Sequence, residues 1–401
     1  MERDVQCCIA GGGPAGMMLG FLLARAGVRV LVLEKHRDFL RDFRGDTVHP
    51  STLELMHELG LLEEFLRLPH NKVSELRAQF GDLSFPIADF SRLPVRCPYI
   101  AMIPQWDFLD FLARQGKAYP GFELMMQSEV TDLLFEGERV VGLRAGPHEI
   151  RADLVVGADG RHSRVRERAG LPVIDLAAPI DVLWFGLSRK AGDSPDTMAR
   201  FDSGSILVML NRGDYWQCAF VIAKGGLETI KQRGLEAFRA SIGGLMRLAG
   251  ARMEEIRSWD DVKLLTVQVN RLREWYRPGL LCIGDAAHAM SPVGGVGINL
   301  AIQDAVAAAN VLWKKDFSLE ALKAIQRRRE FPTRLTQGFQ VVVQNNILKR
   351  VLEDRDGLRP PLMVRALARS RWLRRIPARM VGLGARPEHI RSPAASSSVA
   401  A

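Results

Sequence analysis

The run Gly11-Gly12-Gly13-Pro14-Ala15-Gly16 constrains this chain more than any other feature. It fits G-x-G-x-x-G, and its setting matters more than its letters. Val5 to Ala10 is an apolar run suited to a buried strand. Pro14 to Ala26 has helical character, and Val28 to Leu33 is a second apolar run that ends at Glu34. That is one strand–turn–helix–strand unit of about 30 residues. Gly11 permits the tight turn, Gly13 lets the backbone approach a pyrophosphate, and Gly16 allows helix and strand to pack closely. The helix N-terminus then offers free N–H groups and a positive dipole end to the phosphates. Glu34, 18 residues after Gly16, stands where a carboxylate binds ribose hydroxyls. The unit predicts a dinucleotide site. Later glycine groups lack a strand–turn–helix–strand of their own, so one such site is expected.

Composition narrows the class. With 401 residues, 47% hydrophobic and 25% charged, the chain matches ordinary globular usage and excludes collagenous, disordered or disulfide-dense classes. The length suggests two or three domains. Cys7, Cys8, Cys97, Cys218 and Cys282 are odd in number and lack a C-x-x-C, which argues against a disulfide frame, a zinc site or a redox pair. Reduced, buried thiols in a cytoplasmic protein are expected. No secretory signal and no membrane-spanning helix are expected, since no apolar stretch reaches 18 residues. His49 and His57 lack zinc-ligand spacing, so no metal is assigned. The formal net charge is +9, but residues 345–391 hold 12 Lys/Arg against 4 Asp/Glu, which is +8. The main body is near neutral, against a nucleic-acid partner.

Further along, a helix is expected over Ser51–Leu66, with Ser51 and Glu54 as a capping box. Others are expected from Gln105 to Ala118, Arg161 to Ala169, Glu228 to Leu248 and Gly297 to Trp313. Between Pro179 and Val269 the texture changes. Val182–Leu187, Ser205–Leu210 and Trp216–Ala223 read as an antiparallel sheet.

Two later motifs each follow a buried strand. One is Ala158-Asp159-Gly160-Arg161-His162-Ser163. The other is Gly284-Asp285-Ala286-Ala287-His288, continued by Pro292-Val293-Gly294-Gly295-Val296-Gly297-Ile298-Asn299. Asp285 ends its strand at the carboxyl edge of a sheet, where ligands bind. The glycines that follow can expose backbone amides, and a helix opening at Gly297 and Ile298 offers a positive end to an anionic group. His288 is expected to be packed rather than catalytic.

In this order the three motifs resemble the FAD-dependent aromatic hydroxylase family, the single-component flavoprotein monooxygenases related to para-hydroxybenzoate hydroxylase. The resemblance covers about residues 1 to 345. It implies an α/β chain: a Rossmann-like FAD-binding domain with a β-sheet substrate domain and a helical C-terminal segment. The FAD-binding domain is expected at 1–73, 98–178 and 275–345, and the substrate domain at 74–97 and 179–274. A basic helical segment is expected at 346–391 and a disordered tail at 392–401. Besides Gly11, Gly13, Pro14, Ala15 and Gly16, the implied cofactor contacts are Glu34, Lys35, Arg44, Gln105, Asp159, Gly160, Asp285, Gly295 and Asn299. Pro292, Gly297 and Ile298 would line the ring, and no side chain is assigned as catalytic. The implied function is a monooxygenase that uses NAD(P)H and O2 to oxygenate an electron-rich aromatic or polyene molecule through a C4a-hydroperoxyflavin. A flavin-dependent reductase of prenyl double bonds and a flavin-dependent halogenase are the alternatives. The halogenase reading lacks its W-x-W-x-I-P segment: Ile103-Pro104 is followed by Gln105-Trp106, without the W-x-W part.

The partners expected are a small aromatic or lipophilic substrate and O2, in a monomer or homodimer. Trp184, Phe185, Met209, Trp216 and Phe220 are candidates for the substrate wall, although alternation forbids Trp184 and Phe185 from facing it together. The basic segment either contacts an anionic membrane surface or packs back over the FAD domain; packing back is the favoured reading.

Overall fold

The computed structural model describes residues 2–40, 46–81, 83–193, 197–202, 204–246, 250–353, 360 and 362–395. Its first sheet grows from the glycine unit. Glu2–Ala10 pairs in parallel with Val30–Leu33 on one side and with His148–Gly157 on the other. Phe122–Met125 extends the sheet beyond Val30–Leu33, and Leu280–Cys282 extends it beyond His148–Gly157. All of these strands are parallel. Cys7 to Ala10 and Val30 to Leu33 are buried, as expected for strands covered on both faces. Arg139–Ala145 and Val130–Glu136 form an antiparallel annex on the first half of His148–Gly157.

The helix Pro14–Arg25 begins with Pro at its first turn and is buried along almost its whole length. It packs between the sheet and the helices Gln105–Lys117 and Gly297–Leu312. An apolar helix with no polar face needs such neighbours on every side. The segment Val293–Leu312 is long and apolar enough to cross a membrane by length and composition, yet 72% of its apolar window is buried inside the protein. It is a core helix here. All five cysteines are free and buried. Burial pushes the thiols of Cys7, Cys8, Cys218 and Cys282 up, so none of these offers a ready thiolate.

The second sheet has seven strands, in the order Lys263–Leu265, Ile180–Ser188, Tyr215–Ala223, Ser205–Asn211, Met198–Asp202, Glu75–Phe80 and Leu83–Asp89. Two helices, Leu227–Gln232 and Leu235–Met246, lie where one helix was expected over Glu228–Leu248. Gly234, at φ +89°, breaks the run. The helix expected over Ser51–Leu66 also divides. Pro50 takes the first helical position and His49 the cap, the helix ends at Glu58, and Gly60 turns the chain at φ +73° before a short helix Leu62–Phe65. Ser51 is therefore inside the helix and buried, and caps nothing.

The carboxyl-terminal segment packs back on the protein. Val364 joins Ala78, Phe80 and Phe85, and Ala378 and Leu383 join Phe90 and Leu93. Residues 392–395, expected to open a disordered tail, are tied down instead. Ser392 is buried, its carbonyl accepts from Arg25 Nη1 at 3.0 Å, and the Ala395 N–H donates to Arg25 O at 2.7 Å.

Candidate active site

One cavity of about 1530 Å³ runs from the glycine turn to the second sheet. Gly11, Gly13, Pro14, Ala15, Glu34, Lys35, Gln105, Asp159, Gly160, Asp285, Pro292, Gly295, Gly297 and Ile298 all line it. Stretches more than 100 residues apart in sequence thus share one elongated cleft. The cause is the parallel sheet: Ala10, Leu33 and Gly157 end adjacent strands at the same edge. Every motif that follows such an edge opens into the same crevice.

The glycine turn is shaped for an elongated anionic group. A Cβ on Gly16 would fall 1.9 Å from Gly11 O, and one on Gly11 2.4 Å from Ala158 O, so both glycines are required for packing. Gly13 meets nothing within 4 Å, and the free space beside it is the cleft. Gly16 itself does not line the cleft; its part is the close approach of helix and turn. Glu34 Oε2 accepts from the Gly12 N–H at 3.0 Å and Oε1 from the His36 N–H at 3.1 Å. The carboxylate therefore braces the turn while facing the cleft.

Asp159 is occupied locally. It accepts from the Ser163 hydroxyl at 2.5 Å and the Val165 N–H at 3.1 Å, which fastens the start of the helix Arg164–Arg168. Burial pushes its carboxyl up, and these bonds oppose that. Arg161 Nη2 lies 3.6 Å from Asp285 Oδ2, so the second and third motifs meet across the cleft. Gly294 and Gly295, at φ +80° and +62°, wind the loop after Pro292 and bring it to the start of the helix Gly297–Leu312. The first N–H groups of that helix have no intrahelical acceptor and lie at the cleft wall.

Two expected contacts are not seen at the cleft. Asn299 is buried and turned away from the cleft. Its Oδ1 accepts from the His49 N–H and the Thr52 hydroxyl, each at 2.8 Å, and its Nδ2 donates to Thr47 O at 2.9 Å. It fastens residues 47–52 to the helix, because a buried polar side chain in its first turn must find partners there. Arg44 lies outside the described residues.

His288 is packed. Its Nε2 is 2.6 Å from Asp304 Oδ2, beneath the third motif. Asp304 also accepts from the Gly284 N–H at 3.1 Å and from Arg329 Nε at 2.9 Å. Burial alone would push the Asp304 carboxyl up, but His288 and Arg329 outweigh it and hold it below the usual range. Sequence reasoning missed this network, and it missed Asp46. That carboxylate lines the cleft, accepts from the Gln105 N–H at 3.1 Å and forms a buried ion pair with Arg212 of the second sheet. Burial pushes Asp46 up, and Arg212 opposes it.

The second sheet closes the cavity with one face. Ile180, Val182 and Trp184, then Ile206, Val208 and Leu210, then Ala219 and Val221 line it. Strict alternation sets these residues. Phe185, Met209, Trp216 and Phe220 point the other way, into the core beneath Phe238 and Ile242. Of the five wall candidates only Trp184 faces the cavity. Choosing by bulk selected the wrong face, because the helix-covered face needs large side chains to fill it and the cavity face needs small ones to leave room.

A Gly-rich turn, a ribose-side carboxylate, a helix terminus and an apolar chamber on one cleft define an FAD-dependent oxidoreductase. Residues 4–315 match the FAD binding domain family, and the chain belongs to it. Over 354 residues it is 35% identical to 6-methylpretetramide 4-monooxygenase of Streptomyces rimosus, covering 85% of this chain and 84% of the relative. Over 340 residues it is 33% identical to the 12-dehydrotetracycline 5-monooxygenase/anhydrotetracycline 6-monooxygenase of Streptomyces rimosus subsp. rimosus. That match spans 78% of this chain but only 62% of the relative's length. The structure of pqsL, a probable FAD-dependent monooxygenase from Pseudomonas aeruginosa, superposes with a TM-score of 0.76 at 20% identity, over 92% of this chain and 100% of that one. At that identity the likeness concerns the fold. The chain is an FAD-dependent monooxygenase that takes electrons from NAD(P)H, as its family does.

Proposed function

We propose that this monooxygenase hydroxylates a fused-ring aromatic substrate of the pretetramide or tetracycline class named for its relatives. The observation that carries this is the chamber face of the second sheet. Its residues are aliphatic apart from Trp184, and they bound an apolar space contiguous with the cofactor cleft in one cavity of about 1530 Å³.

FAD, when bound, accepts hydride from NAD(P)H and transfers one oxygen atom of O2 to the substrate. The chain's own residues do the rest. Gly13, Pro14 and Ala15 would hold the diphosphate, Glu34 and Lys35 the adenosine ribose, and Gly160 and Asp285 the linker. Gln105, at a helix start held by Asp46, would add a further contact. Pro292, Gly297 and Ile298 would bound the ring. The unbonded N–H groups at the head of Gly297–Leu312 offset negative charge gained there. The apolar walls, with Val364, Leu367, Pro377 and Val381 of the carboxyl-terminal helices, exclude water.

The test is oxygen uptake by the FAD-loaded enzyme with NADPH or NADH, given anhydrotetracycline in parallel with 4-hydroxybenzoate. Anhydrotetracycline should accelerate uptake and yield a product heavier by one oxygen atom. Stimulation by 4-hydroxybenzoate alone would refute the fused-ring reading. A chlorinated product in chloride buffer, or turnover without oxygen uptake, would refute hydroxylation itself.

A further inference from the structure

The segment Ala289–Val293, which carries Pro292 to the cleft, is buried over Ala289–Ser291 and half-buried at Pro292 and Val293, and is not a strand of any sheet. Its backbone groups nevertheless need partners. They find them on the long helix Leu319–Val343 and the π-helical turn Gln344–Leu348 that continues it. Three glutamines supply them, all buried. Gln337 Nε2 donates to Ala289 O at 3.1 Å and to Asn270 O at 2.8 Å. Gln340 Nε2 donates to Ser291 O and Val293 O, each at 2.9 Å, while its Oε1 accepts from the Ser291 N–H at 3.2 Å. Gln344 Nε2 donates to Ser291 Oγ at 2.5 Å.

Positions 337, 340 and 344 share one helix face, spaced by three and four residues. An amide side chain carries both donor and acceptor, so Gln340 stands in for a neighbouring strand, while Gln337 donates to Ala289 O and Gln344 holds the Ser291 hydroxyl. Gln340 does this at the two carbonyls that flank Pro292. Between these glutamines and beyond them, Phe339, Val343 and Ile347 of the same rod line the cavity.

We propose that Gln340, supported by Gln344, is a positioning residue for the flavin: it sets the height of Pro292 and Val293 against the ring. The helix that fixes the loop also forms part of the substrate chamber, so ring seating and chamber shape share one support. This rests on the placement of the ring beside Pro292, and the test separates the two.

The experiment uses the full chain loaded with FAD. The readouts are the visible absorption bands of the bound flavin, quenching of its fluorescence by iodide, and the thermal midpoint. Gln340→Met preserves side-chain volume and removes three hydrogen bonds. It should retain FAD, shift the flavin bands and raise the iodide quenching constant severalfold. Gln337→Met gives up comparable buried bonds one step further from Pro292. It should lower the thermal midpoint and leave the flavin bands and quenching unchanged. Pro292→Ala reports the ring's location. If Pro292→Ala alters the bands and Gln340→Met does not, the positioning role is overturned. If neither alters them, the ring placement falls and the proposal with it. Equal flavin changes in Gln337→Met and Gln340→Met also overturn it, since a general loss of packing would explain both. Should Gln340→Met fail to fold, Gln344→Met, which loses one bond, must show the same band shift to a smaller degree. An unchanged spectrum there refutes the proposal.

Discussion

His49 offers a quantitative test of how the carboxyl-terminal helices are joined to the cofactor domain. Its Nδ1 donates to Val381 O at 2.7 Å, and its Nε2 is buried without a partner. A second proton would have no acceptor, and burial pushes the pKa from 6.5 down to about 4. In the unfolded chain the imidazole returns to the ordinary value. Between the two values the unfolded state binds more protons, so stability rises with pH across that window. The contribution is complete above the unfolded pKa and is lost as pH falls toward the folded one. At about 1.4 kcal/mol per pH unit, acidifying from about pH 7 to about pH 5 removes roughly 2 kcal/mol through this one group. His49→Asn keeps an N–H donor toward Val381 O and cannot titrate. Urea unfolding of both proteins at the two pH values supplies the comparison. The parent should lose roughly 2 kcal/mol more than the variant on acidification. Equal losses would show that the imidazole is already solvated or charged in the folded state, and the reasoning would fail.

Four further outcomes are expected. Gly16→Ala drives a Cβ to 1.9 Å from Gly11 O, and should cost about 1–3 kcal/mol or more in chemical unfolding along with FAD affinity. Gly13→Ala, at φ −75° with nothing near its Cβ, should leave the unfolding midpoint unchanged and weaken FAD binding measured by flavin fluorescence; unaltered affinity would remove the diphosphate from that turn. Asp304→Asn removes one of the two buried carboxylates around Arg329, leaving Glu388 as its partner, and should cost about 3 kcal/mol in calorimetry or denaturant titration. Val208→Trp fills the chamber without entering the core beneath the sheet. It should preserve FAD binding and abolish substrate-stimulated NAD(P)H oxidation.

What could be read from the sequence was what local chemistry alone dictates. Gly11 to Gly16 lie within one turn and Glu34 follows at a fixed spacing, so their places beside one crevice show in the letters. Asp285 and Asp159 were legible for the same reason, each at the end of an apolar run. The ion pair of Asp46 with Arg212 joins positions 166 residues apart, and nothing near either residue announces the other. Gln337, Gln340 and Gln344 look like the solvated side of a helix until the loop they bind is known. The Asn299 side chain leaves the cleft because it follows Ile298 by one residue, about 100° around the same helical turn, and so points inward. Ser51 and Glu54 spell a cap, yet Pro50 fixes a backbone that starts the helix one residue sooner. Period-two patterning separated the two faces of the second sheet correctly; it carried no information on which face a helix would cover.

The division between those faces has a consequence for how such an enzyme changes its preferences. The bulky side packs under the helices of its own domain, while the other side is shared between the guest and the carboxyl-terminal rod at Leu348 and Val351. Val208, only half-buried, can therefore be exchanged with less tax on folding than Val182 or Ala219, so a library centred on it samples new guests on a nearly unaltered frame.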